Sequence, residues 1–262
     1  MMKALYTAAT GMKGQQMTVD VISNNIANVN TAGFKRSRVN FQDLLYVNLQ
    51  KPGDSSIGVQ SPTGLEIGSG VRAVSTTRVF TPGVMEGTNR ELDVAIMGDG
   101  FFQVTMPDGT TGYTRDGSFH LDSQLQMVTS QGYRIEPAIT VPTDTQSVSI
   151  GADGVVTVTT AASPDTPTQV GTIQLARFAN PSGLEASGTN ILRNSAASGT
   201  PTPVTPGTEG TGALSQYYLE RSNVDVVSEL VNLIVAQRAY EVNSRAIRTG
   251  DEMLSQVNGL VR

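Results

Sequence analysis

The chain has 262 residues, no cysteine, no tryptophan, 5% aromatic and 16% charged residues, and a net charge of −5. That length fits one large domain or two modest ones. The missing cysteine excludes a disulfide framework and a thiolate metal site, and the acidic balance argues against non-specific nucleic-acid binding, which needs a surplus of positive charge.

The first thirty-odd residues carry a heptad pattern. Leu5, Met12, Val19 and Ile26 recur every seven residues, and Ala8, Gln15, Ile22 and Val29 follow three residues later. This is the a/d seam of a coiled coil. A helix over about 3–29, at roughly 1.5 Å per residue, would be about 40 Å long. Gly11, Gly14 and several Asn make it a weak helix former, so it needs a partner. Because it is amphipathic rather than continuously apolar, it does not read as a secretory signal. No run approaches the roughly 18 apolar residues of a membrane span, and composition alone points to the cytoplasm.

Gly33 suits the left-handed position after a helix end. Lys35, Arg36 and Arg38 read as a solvated cluster or as charges that complement the helix dipole. Phe41, Leu44, Leu45, Val47 and Leu49 form an apolar patch, helical or extended. Residues 51–70, rich in Gly and Pro, read as an extended arm, long enough to be functional or ordered by a neighbour.

From Val71 the pattern changes to short alternating runs. Val71–Val74, Leu92–Ile96, Phe101–Met106, Gly112–Thr114, Ser118–Leu121, Gln126–Thr129, Tyr133–Ile135, Ser147–Ile150, Val155–Thr159 and Ile173–Phe178 predict strands. Asp108-Gly109, Asp116-Gly117 and Asp153-Gly154 mark turns, read as type I′. Such spacing predicts an antiparallel sandwich or barrel. Thr159–Gln169 and Ser195–Gly212 read as loops, and Leu214–Glu220 as a returning strand.

A second heptad closes the chain. Val226, Leu233, Tyr240, Ile247, Leu254 and Val261 recur every seven residues, flanked by Leu230, Ala236 and Val257. Gln237, Ser244 and Asp251 leave one side polar, a device for register. Ser222 with Asp225 reads as a capping box, with Asn223 as a rival cap. The two helices can pair within one chain or across copies. The fold class is therefore α+β, with long terminal helices forming a coiled-coil layer and a central, mainly antiparallel β-domain. The expected division is 1–33 with 222–262, an arm over 34–70, and a β-domain over 71–221.

Chemistry is hard to find. His120 is the single histidine and reads as an exposed strand residue, with no second ligand or triad partner near it in sequence. Gly98-Asp99-Gly100 continues into a strand and not a helix, unlike a dinucleotide loop. No EF-hand spacing occurs, no Gly-x-Ser-x-Gly elbow occurs, and the carboxylates have structural roles. No catalytic, cofactor or metal residue is assigned.

Three stretches then point to a family. Ser23-Asn24-Asn25-Ile26-Ala27-Asn28-Val29-Asn30-Thr31-Ala32-Gly33-Phe34-Lys35 resembles the N-terminal signature of bacterial flagellar rod and hook proteins. Leu92 to Phe102 is similar to the motif opening their β-domain, and Val231 to Asn243 to their C-terminal helix. Phe41 to Tyr46, Gln50-Lys51-Pro52-Gly53 and Gly64 to Arg72 resemble the distal-rod members more than the hook or proximal-rod members.

The resemblance implies a non-enzymatic subunit whose helices pack as an inner coiled-coil tube beneath an outer β layer. It implies helical self-polymerisation into a rigid hollow shaft crossing the periplasm and carrying torque to the hook. The implied partners are the chain itself, proximal rod proteins, the hook protein or hook junction, the L and P bushing rings, and the type III export apparatus. Export by that route would replace a cleaved signal; nucleic acid and membrane insertion are not expected. Leu5, Met12, Val19, Ile22, Ile26, Val226, Leu230, Leu233, Tyr240, Ile247 and Leu254 are the expected assembly residues. Tyr46, Gln50, Lys51, Pro52, Gly53 and Leu65 are expected in a rod-stiffening arm. The readings that compete are a carbohydrate- or peptide-binding β-domain that dimerises through its helices, a hydrolase using His120, and, within the family, the hook protein.

Overall fold

The computed structural model describes residues 2–50, 63–161, 163–208 and 210–260. Lys51, Pro52, Gly53 and Val261 lie outside the described residues. The architecture is α+β: two long helices near the ends of the chain and an antiparallel β-rich region between them. The chain divides into two compact units, a helical unit of Met1–Ala27, Ser37–Thr77 and Asp225–Arg262, and a β unit of Asn28–Arg36 and Arg78–Val224. Among the described residues no helix is long and apolar enough to cross a membrane.

The helical unit holds α1 (Met2–Ala27) and α2 (Val226–Leu260). Asp225 starts α2: its Oδ1 accepts from the Val227 amide at 3.2 Å and its Oδ2 from the Ser228 hydroxyl at 2.5 Å. The hydrogen bond from Ser228 is the main cause that holds the Asp225 carboxyl below its ordinary value. The Ser222 capping box and the Asn223 cap are thereby corrected, because both side chains are engaged upstream. Ser222 Oγ accepts from Val224 N–H at 3.3 Å, while Asn223 Oδ1 accepts from Arg36 N–H at 2.8 Å and its amide donates to Val79 O at 2.8 Å. The ambiguous patch after α1 is extended. Ser37–Asp43 pairs with Val71–Arg78, and Val47–Gln50 pairs antiparallel with Leu65–Ile67, Val47 opposite Ile67.

In the β unit the strand pairs are antiparallel. A nine-stranded sheet runs from Glu185–Gly188 through Phe101–Thr105 to Phe119–Leu121. A three-stranded sheet joins Thr145–Ile150, Val155–Thr160 and Ser163–Thr172. Both contribute to one core in which Phe102, Phe119, Met127, Ile135, Val156 and Ile173 are fully buried. Phe102 meets Phe119 edge-on at 5.1 Å. Each aromatic pair of this kind adds about 0.5–1.5 kcal/mol beyond area burial.

The structure corrects four further local expectations. Ser163–Thr172 is a strand and not a loop, because Thr157 and Val158 pair with Gln169 and Thr168. Thr202–Val204 within the expected 195–212 loop is also a strand, Val204 opposite Leu175. The Asp-Gly turns are not type I′. A positive φ occurs at Gly109 (+79°) and Gly154 (+83°) but not at the Asp before them, so these are tight turns ending in a left-handed glycine. Both central residues are left-handed at Thr189 (+49°) and Asn190 (+59°), which join Glu185–Gly188 to Ile191–Arg193.

The fourth correction is Lys35, which is buried rather than solvated. Its Nζ donates to Glu220 Oε1 at 2.6 Å and to Thr81 O at 2.8 Å. Arg115 approaches the other Glu220 oxygen at 3.4 Å and donates to Gly98 O at 2.8 Å. Burial pushes both cations below their ordinary values, with Glu220 opposing that shift. Beside this cluster the Gly33 amide donates to Glu220 O at 2.7 Å. Gly33 has φ +67°, and a Cβ there would lie 2.6 Å from the Arg115 backbone. The segment following α1 and the one preceding α2 are thus locked together inside the β unit.

Candidate assembly surface

The helical unit is where an assembly site could be built, and its packing starts from small and polar residues. α1 and α2 lie antiparallel. Asn25 stands against Glu229, with Nδ2 to Oε2 at 3.4 Å. Farther along, a Cβ on Gly11 would meet Asn243 at 2.9 Å, and a Cβ on Gly250 would meet Leu5 at 2.7 Å. Close approach at these points needs the absence of a side chain. Asn25 also fixes the strand that follows: its Nδ2 donates to Ser37 O at 2.8 Å and its Oδ1 accepts from Ser37 N–H at 2.9 Å.

On α2 the row turned to α1 is Glu229, Ala236, Asn243 and Gly250, spaced by seven. Sequence reading by hydrophobicity passed over it, because only Ala236 in it is apolar. The spacing itself was the signal. Of the expected assembly residues, Ile22 is buried, while Leu5, Met12, Val19, Ile26, Leu233, Ile247 and Leu254 are half-buried. Val226, Leu230 and Tyr240 are exposed. In the arm Tyr46, Gln50 and Leu65 are exposed. Gln237 and Asp251 are exposed and Ser244 half-buried.

A second apolar stripe covers the outer side of α2. Val227, Leu230, Val231, Ile234, Val235 and Val242 are all exposed, Val227 by 70%. It too shows in the sequence, since Val227 and Ile234, like Val235 and Val242, are seven apart. Scattered surface apolar residues need no explanation, whereas a contiguous stripe marks an interaction surface.

His120 is exposed, 3.1 Å from Arg90 Nη2. Among the described residues no group of three or more acidic or histidine side chains could hold a metal ion.

Three family models match. The model "Flagella basal body rod protein" matches residues 5–35, "Flagellar hook protein FlgE/F/G D1 domain" matches 95–158, and "Flagellar basal body rod FlgEFG protein C-terminal" matches 215–260. Full-length relatives agree. A flagellar basal-body rod protein FlgG of Buchnera aphidicola subsp. Schizaphis graminum is 48% identical, over 99% of this chain and 100% of its own length. The FlgG of Caulobacter vibrioides is 49% identical over 99% of both chains, and that of Bacillus subtilis 41% identical over 100% of both. The chain belongs to the flagellar rod and hook protein family. It is a structural protein of the flagellar basal-body rod, not an enzyme. Membership in this family implies assembly into the flagellar rod with other flagellar components.

Proposed function

We propose that the chain is the distal-rod subunit, polymerising helically through its terminal helices into a rigid hollow shaft that carries torque to the hook. The observation carrying this reading is the concentration of exposed apolar side chains on the helical unit. Of the large exposed apolar residues among those described, all but Val84, Met97, Leu121, Tyr217 and Tyr218 belong to it. A heterologous contact that does not close generates a helical filament.

In this reading 1–33 and 222–262 form a coiled-coil layer, with Leu5, Met12, Val19 and Ile26 of one copy against Leu233, Tyr240, Ile247 and Leu254 of another. Residues 71–221 form the outer layer. The arm over 34–70 stiffens the rod by bridging neighbours, which is supported by the exposure of Leu49, Leu65 and Ile67 on a two-stranded ribbon and of Tyr46 just before it. A ribbon that small is at best marginally stable alone. The partners are further copies, proximal rod proteins, the hook protein or hook junction, the L and P rings, and the type III export apparatus. The assembled protein stands in the periplasm-spanning rod.

Electron microscopy of the full chain over a concentration series, beside a chain lacking 1–30 and 225–262, tests this. Straight tubular filaments are expected from the full chain only; closed small oligomers would overturn the reading. Deleting Gln50 to Leu65 is expected to leave export intact and give a bent or unstable rod. An unchanged straight rod would remove the arm's role.

A further inference from the structure

We infer that the outer stripe of α2 in one copy seats in a groove between α1 and the Ser37–Asp43/Val71–Arg78 ribbon of a second copy, with Arg238 of the first against Asp20 of the second. The inference rests on the polymer reading above and names the two surfaces that meet.

The groove lies within the helical unit. Met17, Val21, Val39, Ala73 and Val74 line a space of about 340 Å³, with Asp20 at its edge. Met17 is 39% and Val74 56% exposed, an unusual state for apolar side chains that converge on one concavity. Its apolar lining is open to solvent and offers a surface for a partner's apolar ridge.

The ridge is on α2. Val227, Val231, Ile234, Arg238 and Val242 follow one another at steps of three or four, so they form one line along the helix. This line lies away from the Glu229–Ala236–Asn243–Gly250 row that faces α1, which leaves it open in the free chain. Groove and ridge are different surfaces of one unit, so a copy that offers its ridge to one neighbour still offers its groove to another. Such a contact is heterologous, and it propagates as a helical filament when its rotation does not close a ring.

Charge fixes the register. Asp20 is exposed and makes no ion pair among the described residues, and it is the one acid on the groove. Arg238 interrupts the apolar line between Ile234 and Val242. Its one ion pair among the described residues is with Glu241 at 3.0 Å, both side chains more than half exposed. An exposed pair of that kind contributes little and exchanges readily. An opposite charge at the edge of an apolar contact mainly selects orientation and rejects wrong partners.

The cysteine-free chain permits a direct test. Val74→Cys and Ile234→Cys are placed in the same full-length chain, and isolated basal bodies are treated with a short thiol cross-linker. A ladder of dimers, trimers and higher multiples is expected from the double variant and no ladder from either single variant. Rods that assemble without any ladder would overturn the inference while leaving the polymer reading standing; absence of the unaltered chain from the rod would overturn that reading itself. A charge exchange is the independent measurement. Asp20→Arg and Arg238→Asp alone should each raise the concentration needed for filament growth by about tenfold, and the two together should restore most of it. Singles without effect, or a double as defective as the worse single, would overturn the pairing.

Discussion

The β unit and the helical unit spend their apolar residues in opposite ways. The β unit buries Phe101, Phe102, Phe119, Ile135, Ile139, Leu175 and many more, and leaves few large apolar side chains outside. In the helical unit Ala8, Ile22 and Ala236 are the buried apolar residues among those described, while both helices and both ribbons display Val, Leu, Ile, Met and Tyr to solvent. One is a domain that satisfies itself; the other holds its helices together through Gly, Ala and Asn and keeps its hydrophobic surface for something else. Burial supplies most of the stability of a folded segment, so the units should respond differently to the same kind of substitution.

The largest difference is expected at Glu220. Its carboxylate meets Lys35 and Arg115 in the interior of the β unit, with the Gly83 amide at 2.9 Å. Glu220→Ala leaves two buried cations without their anion and should cost about 3–5 kcal/mol. Denaturant unfolding of the β unit checks this; a loss below about 1 kcal/mol would mean that water reaches the cluster. Next, two isoleucines divide the effects of burial and display. Ile22→Ala in the buried seam should cost about 2–5 kcal/mol. Ile234→Ala on the exposed stripe should change chain stability by no more than about 0.5 kcal/mol, yet weaken filament growth. Equal losses of stability at both positions would erase the distinction.

What the sequence discloses follows from the same contrast. Alternation and Gly-containing turns mark most strands of the β unit because a half-buried strand has period two. Among the strands it hides are two rich in Ser, Thr and Pro, Ser163–Thr172 and Thr202–Val204, where pairing with a neighbour decides the conformation and composition does not. Lys35 is hidden for another reason. Its partner, Glu220, is 185 residues away in the chain, and no local pattern announces a contact at that distance. In the helices the seven-residue period is plain, but the row that packs is Glu229, Ala236, Asn243 and Gly250. A search for the most hydrophobic row favours the neighbouring one.

A smaller effect tests whether α1 and α2 pair in the free chain. Ala is favoured over Gly within a helix by about 1 kcal/mol, so Gly11→Ala alone should stabilise α1. With the helices paired, the new methyl would press on Asn243 Nδ2 at 2.9 Å. The gain should then be largely cancelled, and Asn243→Ala should release it. A double-mutant cycle on the monomer is expected to show coupling of about 0.5–1 kcal/mol. Strict additivity would show that the pairing forms only on assembly.

The smallest effect is electrostatic and lies at the start of α2. The hydroxyl of Ser228, and after burial's opposing effect the backbone amides of Val227 and Ser228, hold the Asp225 carboxyl below its ordinary value of 3.8. A carboxyl lowered on folding stabilises the folded state fully above its unfolded value, and that contribution disappears as the pH falls through the folded value. The protection of the first-turn amides of α2, relative to their intrinsic exchange rates, should therefore fall below about pH 4 in the parent chain. Asp225→Asn keeps an acceptor for the Val227 amide, so the turn should stay capped near neutrality and lose its acid sensitivity. Asp225→Ala should fray the turn at every pH. The core of the β unit should not register either change, since its strands owe nothing to that carboxylate; acid that loosened both alike would show that the cap is not the cause.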